Sequence, residues 1–146
     1  MQKTFTFEDA NRALVFVGPI VGDIQKTWQS LVMVKKILES AVMNGASITS
    51  PELAKMESDI QDNLKNIERF LKEIEQVGCI FKDFSRGVVD FPTFYKNEAV
   101  FLCWHSGEKS VAHWHRGDTG FENRKSVDED FKTWNSKEPN MEFSLV

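Results

Sequence analysis

The chain has 146 residues, and its 18 lysines and arginines against 22 aspartates and glutamates give a net charge of −4. This length is enough for one domain with an ordinary hydrophobic core. The acidic balance argues against duplex nucleic acid as a partner, and no apolar run approaches the ~20 residues of a membrane span.

A long helix is predicted at the start of the chain. Thr6 can cap it, and Glu8-Asp9 place negative charge at the positive end of the helix dipole. Apolar residues then recur at helical spacing as far as Val42, and Asn44-Gly45 ends the segment. Because Pro19 lacks a backbone donor, we expect a kink or a short break there.

A second helix is predicted from Ser50, a capping residue, through Pro51 at the first helical position to a stop at Gly78. Its apolar residues are spaced by three and four and form a heptad-like seam: Leu53, Met56, Ile60, Leu64, Ile67, Leu71 and Ile74. Two helices joined by a short loop fold back as an antiparallel hairpin.

The surface of this hairpin leaves two alternatives open. At ~1.5 Å per residue the helices are roughly 40–50 Å long, which is more than a small domain covers. The first helix is also apolar around more than one face near Leu31-Val34. The hairpin can pack on its own sheet, or two hairpins can pair as a four-helix bundle. We expect the second arrangement, a homodimer through the helical hairpin.

The hydrophobic period changes after Val77. Short strands are predicted at 79–81, 88–92, 98–104 and 110–115, where branched and aromatic residues dominate. Pro92 restricts its strand to an edge or a loop.

The sequence therefore predicts an α+β fold, in which a long, coiled-coil-like antiparallel two-helix hairpin is followed by a small antiparallel β-sheet. We expect a single domain over residues 1–125, with the hairpin at 6–77 and the sheet at 78–125. Residues 126–146 carry an excess of acids and are expected to be an acidic C-terminal extension.

A set of residues, most of them in the C-terminal half, carries a family pattern. They are Phe5-Thr6, Glu8, Ala10-Asn11, Gly78, Lys82-Asp83, Gly87, Asp90-Phe91-Pro92, Leu102-Cys103-Trp104, Gly107-Glu108, Val111, Trp114-His115, Gly120-Phe121 and Arg124. On these residues the chain resembles the uncharacterised prokaryotic family catalogued as domain of unknown function 2203, over roughly Thr4 to Arg124. The resemblance implies no activity. The chain differs from the family pattern at His105 and His113, and the tail after Lys125 is an addition to it.

Metal-ligating side chains gather in and around the predicted strands of the second half. Residues two apart on a strand share a face, and tetrahedral zinc accepts thiol, imidazole and carboxylate ligands. The chain offers two ligand sets for a divalent metal such as zinc. The set on family positions is His115 with Asp90 and Glu108, and the weaker alternative set is Cys103, His105 and His113.

The length of the hairpin loop decides which faces these residues occupy. A loop of two or four residues puts Cys103 opposite Ala112, whereas a loop of three residues brings Cys103, His105, His113 and His115 together. The alternative to both metal sets is that the thiol and the imidazoles simply fill the sheet faces.

The same region can also form a small-molecule pocket, because charged groups there lie among aromatic residues. The candidate ligand-binding residues are Asp83, Asp90, Cys103, Trp104, Glu108, Trp114, His115 and Arg124. A carboxylate–histidine pair among them could act as acid and base. In the structural alternative the aspartates cap turns, Arg124 pairs with Glu108, and His115 holds a loop carbonyl.

The function classes are narrowed by what the chain lacks. It has no nucleophile elbow, phosphate loop, dinucleotide fingerprint or HExxH pattern, so no motif identifies catalytic residues. It begins without an apolar signal segment and holds only two cysteines, so we expect a cytoplasmic protein. We expect a homodimeric interaction or accessory module. The alternative is a ligand- or metal-binding protein, or an enzyme, with its site around Asp90, Glu108 and His115.

Overall fold

The computed structural model describes residues 3–45 and 49–136, and over them it confirms the predicted α+β fold. Two long helices, α1 (Phe7–Met43) and α2 (Ser50–Val77), pack together as the hairpin. An antiparallel sheet follows, and a short helix, α3 (Glu129–Asn135), comes last. Among the described helices none is long and apolar enough to cross a membrane.

The helix ends follow the capping chemistry of the sequence. Thr6 and Asp9 form a reciprocal capping box at the start of α1. The cap of α2 is Thr49, one residue before the predicted Ser50, and it forms the same box with Glu52. Gly78 ends α2 with φ 105°, a left-handed conformation that favours glycine.

The expected interruption at Pro19 does not break α1, which is helical from Phe7 to Met43. A proline in a helix removes one backbone hydrogen bond and crowds the preceding turn. Here Val17 and Val21, on either side of the proline, are fully buried in the core. Packing of these flanking turns on the sheet therefore keeps the helix in one piece.

The sheet is a meander in which strands adjacent in sequence are adjacent in space. Its strands are β1 (Ile80–Asp83), β2 (Val88–Tyr95), β3 (Glu98–His105), β4 (His113–Arg116) and β5 (Lys125–Ser126). The two-residue turn between β2 and β3, Lys96-Asn97, has positive φ at both residues (51° and 63°), as a type I′ hairpin turn requires.

Pro92, the expected end of this strand, lies inside β2, which continues to Tyr95, but its position tolerates a proline. Pairing with β1 extends only as far as Asp90, so β2 has no β1 partner at Pro92. The Pro92 carbonyl accepts a hydrogen bond of 2.8 Å from the backbone N–H of Phe5. The proline thus occupies a locally open edge, which is the environment its missing N–H allows.

The core lies between one face of the sheet and the helices, and α3 closes one side of it. Phe131 of α3 is fully buried, with its ring 4.8 Å from that of Tyr95 and 5.3 Å from that of Trp114. Asn135 is buried as well and donates to the Thr93 hydroxyl. The described part of the predicted extension thus packs into the core. Residues 137–146 lie outside the described residues, and the division into a domain at 1–125 and an extension at 126–146 stays a prediction.

Truncation of Phe131 tests whether α3 belongs to the core. Phe131→Ala should lower the free energy of unfolding by about 3–5 kcal/mol, because it leaves a cavity among packed aromatic rings. The measurement is urea denaturation of the full chain. Trp134→Ala is the matched control, since Trp134 lies on the same helix and is 38% exposed. A loss for Phe131→Ala no larger than that of the control would mean that α3 is not part of the core.

Candidate functional site

The register of the central strands sorts the sheet residues into two faces. Cys103 of β3 lies opposite Asp90 of β2 on one side and opposite His113 of β4 on the other. Paired residues of antiparallel strands point to the same face and side chains alternate along a strand, so His105 and His115 share this face. We call it the polar face. The alternate residues form the hydrophobic core.

The connection that sets this register is longer than the loops considered from sequence. Seven residues, 106–112, join β3 to β4, and Cys103 pairs with His113, not with Ala112. The side chain of Asn11 holds this connection on α1, since it donates to the Val111 carbonyl (3.1 Å) and accepts from the Val111 N–H (2.8 Å). From the sequence, Asn11 could be singled out only because it occupies a position of the family pattern.

Three side chains of the polar face converge in the interior. Asp90, Cys103 and His115 are 3%, 0% and 4% exposed. One carboxylate oxygen, Sγ and one ring nitrogen all lie within 4.8 Å of one another. Nε2 of His115 is 3.1 Å from Oδ1 of Asp90, and the Cys103 side chain is hydrogen-bonded to the same carboxylate. We call this group the Asp90–Cys103–His115 cluster.

The hydrogen bonds of His115 fix the orientation of its ring. Nδ1 lies 2.7 Å from the carbonyl oxygen of Arg116, and because a carbonyl only accepts, Nδ1 carries a proton. Nε2 is therefore the ring nitrogen that faces the carboxylate of Asp90. Burial by itself lowers the pKa of His115, but the bonds to Asp90 and to the Arg116 carbonyl outweigh it and raise the pKa above its ordinary value.

The thiol of Cys103 is a neutral group in this setting. Burial raises its pKa far above the ordinary value, and the charge of Asp90 raises it further. Arg124 acts in the opposite direction but does not offset these effects.

A second group surrounds Glu108, in the connection between β3 and β4. Its carboxylate accepts from Nη1 of Arg124 and from the backbone N–H of His105, both at 2.9 Å. Burial raises the pKa of Glu108, but these partners outweigh it and hold the pKa below its ordinary value. Nδ1 of His113 is buried 3.2 Å from this carboxylate without making a hydrogen bond.

The segment after β4 folds back beside these groups and is held by stacked cations. Two guanidinium groups pack on the ring of Phe121. The Cζ atom of Arg86 lies 4.2 Å from the ring centroid, and the Cζ atom of Arg124 lies 4.3 Å from it. Arg86 also pairs with Glu122 at 2.8 Å. Asp83 accepts from the Arg86 N–H, which lowers the pKa of Asp83, and so it caps the turn between β1 and β2.

The predicted site residues are thus divided among several places. Asp90 and His115 meet, and their third neighbour is Cys103 from the alternative ligand set, whereas Glu108 bonds Arg124 in the second group. Trp104 and Trp114 belong to the hydrophobic core on the opposite face, so they do not line the cluster. Asp83 lies in the β1–β2 turn.

The outer half of the hairpin is a separate surface feature, which we call the distal hairpin (residues 32–45 and 49–66). Trp28 stacks on Phe84 at 6.1 Å and Leu31 is buried, but no described residue of the distal hairpin is buried. Its exposed apolar side chains include Met33, Ile37, Val42, Met43, Leu53 and Leu64. These side chains form an apolar surface on a helix pair that extends past its own sheet.

Comparison with known proteins gives a family and no activity. The model of a family described as an uncharacterised conserved protein (DUF2203) matches residues 3–127. That range includes α1, α2 and all five strands, and ends before α3. No curated protein and no solved structure matches the chain. The geometry of the chain itself must therefore indicate its function.

Removal of the Glu108 charge tests the second group. Glu108→Gln should lower the free energy of unfolding at pH 7 by about 1–3 kcal/mol, because Arg124 then loses a charged partner that is largely buried. A lowered folded pKa stabilises the fold above the unfolded value near 4.5 and loses that contribution as pH falls through the folded value. The difference between the variant and the wild type should therefore shrink below pH 4.5 in urea denaturation.

Glu122→Gln is the matched control for this measurement. Glu122 also pairs with an arginine, Arg86, but its side chain is 76% exposed. Exposed pairs contribute roughly 0–1 kcal/mol, so this variant should change little. Equal losses for the two variants, or a Glu108→Gln loss that is independent of pH, would contradict the assignment.

Proposed function

Because the chain belongs to the uncharacterised DUF2203 family, whose description names no activity, we propose a function from its own surfaces: it is a homodimeric interaction or accessory module. In this proposal the distal hairpins of two copies pair as a four-helix bundle in the cytoplasm of a prokaryotic cell. The heptad-like seam of α2 gives the bundle its coiled-coil character.

One observation carries the proposal, namely the absence of any buried residue in the described distal hairpin. The least exposed apolar residues of this part, such as Val34, Leu38 and Ile60, are only half-buried. A helix pair with incompletely covered apolar residues gains little stability by itself. A second hairpin would cover both these residues and the exposed ones, which include Met33 and Ile37.

The distribution of charge favours a second copy as the occupant of this surface. Between residues 32 and 43, α1 carries two lysines, Lys35 and Lys36, and one acid, Glu39. Between residues 50 and 66, α2 carries four acids and two lysines, Lys55 and Lys65. A two-fold axis that places α1 of one copy against α2 of the other would bring opposite charges together at both contacts.

The polar face supports a second candidate, a ligand- or metal-binding function on the sheet. The specific observation in its favour is the convergence of Asp90, Cys103 and His115 in the interior. Glu108, the third member of the site expected from sequence, lies in the neighbouring group and borders such a site without joining it. Both cysteines are free thiols, which suits a reducing cytoplasm. Duplex nucleic acid is not proposed as a partner, since the chain is net acidic.

The mass of the purified chain in solution tests the dimer. Size-exclusion chromatography with light scattering should give twice the chain mass of 16.8 kDa at micromolar concentration. Ile37→Asp should shift the protein to monomer, because it places a charge in the apolar contact. Raising the salt concentration should weaken the wild-type dimer, since the helices carry opposite charge.

Val15→Asp is the control for a charge on an exposed apolar position of the same helix. Val15 is 71% exposed and lies outside the distal hairpin, so this variant should remain dimeric. A monomeric wild type at micromolar concentration would overturn the proposal. A dimer that Val15→Asp breaks and Ile37→Asp leaves intact would overturn it too, because the contact would then lie at the other end of α1.

A further inference from the structure

We propose that Asp90, Cys103 and His115 form a binding site for one divalent transition-metal cation, with Zn²⁺ as the best fit. The site is independent of the dimer, because it lies on β2, β3 and β4 while the dimer contact lies in the distal hairpin. The failure of either proposal leaves the other standing.

The positions of the donor atoms suit a small cation. The three potential ligand atoms lie within 4.8 Å of one another, and each comes from a residue that is at most 4% exposed. Ligand atoms around tetrahedral zinc are roughly 3–4 Å apart. Small side-chain rotations therefore bring the three donors to one cation without any change of the strand register.

The orientation of His115 is the one that a metal ligand requires. Metal-binding histidines donate their second ring N–H to a carbonyl or a carboxylate, which fixes the ring and the tautomer. Here Nδ1 donates to the Arg116 carbonyl at 2.7 Å, so Nε2 is the nitrogen directed at Asp90. A cation placed between Nε2 and the carboxylate would replace the hydrogen bond that these two groups now make.

The charges of the ligand types match a dication. When the cation binds, the thiol of Cys103 gives up its proton to solvent as H⁺, because the thiolate is the form that binds a metal. M²⁺ then faces the thiolate of Cys103 and the carboxylate of Asp90, with the imidazole of His115 as the third ligand. Arg124, the cation that approaches Cys103, is itself paired with Glu108.

The donor types select the class of cation. A thiolate, an imidazole and a carboxylate favour Zn²⁺ and its neighbours such as Co²⁺. Mg²⁺ and Ca²⁺ prefer sites built entirely from oxygen. The three protein ligands leave the fourth tetrahedral position to water or to another ligand. Because the cluster is closed from solvent, binding should be coupled to folding and should stabilise the fold.

Cobalt titration of the untagged, chelator-treated full chain tests the site directly. One Co²⁺ per chain should bind, with the intense near-ultraviolet absorption of a thiolate–cobalt bond, and Zn²⁺ should displace it. Metal binding should release protons, as measured in a weak buffer, because the thiol of Cys103 binds as a thiolate. A saturating amount of Zn²⁺ should raise the Tm by at least about 5 °C, whereas Mg²⁺ and Ca²⁺ should not.

Matched variants assign the ligands. Cys103→Ala should abolish the thiolate band, while Cys79→Ala should keep it, since Cys79 is the other buried thiol and lies outside the cluster. Asp90→Asn should weaken binding by more than about 100-fold, because even the loss of an outer partner costs 10–100-fold. Glu122→Gln should retain binding, because Glu122 pairs with Arg86 at the surface and its side chain is 76% exposed.

Some results would overturn the site. The first is binding of less than about a tenth of an equivalent of Co²⁺ or Zn²⁺ by the wild-type chain. This measurement does not depend on the folding of a variant, and it would mean that the three residues form only a hydrogen-bonded cluster. The second is metal bound without a thiolate band. The third is binding that Cys103→Ala leaves unchanged, or that Glu122→Gln abolishes while Asp90→Asn does not.

Discussion

The pairing of Cys103 with Asp90 on one side and with His113 on the other is the constraint on which the rest of the structure depends. A shift of one residue would exchange the two faces of β3, bringing His105 to the helices and Trp104 to the polar face. The same register that packs the core therefore brings Cys103 beside Asp90 and His115. Core packing and the chemistry of the polar face follow from a single choice of pairing.

Contacts at both ends of β3 hold that register in place. At one end, the two-residue turn Lys96-Asn97 joins β2 to β3 directly, so that Tyr95 pairs with Glu98 and the register of the two strands is fixed. At the other end, the long connection to β4 is held on α1 by the two hydrogen bonds of Asn11 and closed by the ion pair of Glu108 with Arg124. Charged groups in this connection thus position the cluster without belonging to it.

The hairpin could be predicted from sequence because its signals are local: capping residues, an apolar residue every three or four positions, and Gly78 as a stop. The register of β3 and β4 could not, since a seven-residue connection is held by distant partners such as Asn11. Because the register was uncertain, the sheet faces on which His113 and His115 lie could not be predicted. The pairing of Glu108 with Arg124 was considered from the sequence only as one alternative. The short break considered at Pro19 does not occur, and the burial of the neighbouring turns that accompanies this continuity is a tertiary effect.

In these proposals the two halves of the chain have separate roles, with the distal hairpin offering an apolar and charged surface and the sheet enclosing the Asp90–Cys103–His115 cluster. That this cluster binds a divalent cation is the central claim. Anomalous X-ray diffraction at the zinc edge, from crystals of the zinc-loaded full chain, tests it most directly. We predict one strong peak per chain among Asp90 Oδ1, Cys103 Sγ and His115 Nε2. Peaks confined to exposed acidic side chains, with the His115–Asp90 hydrogen bond intact, would contradict it.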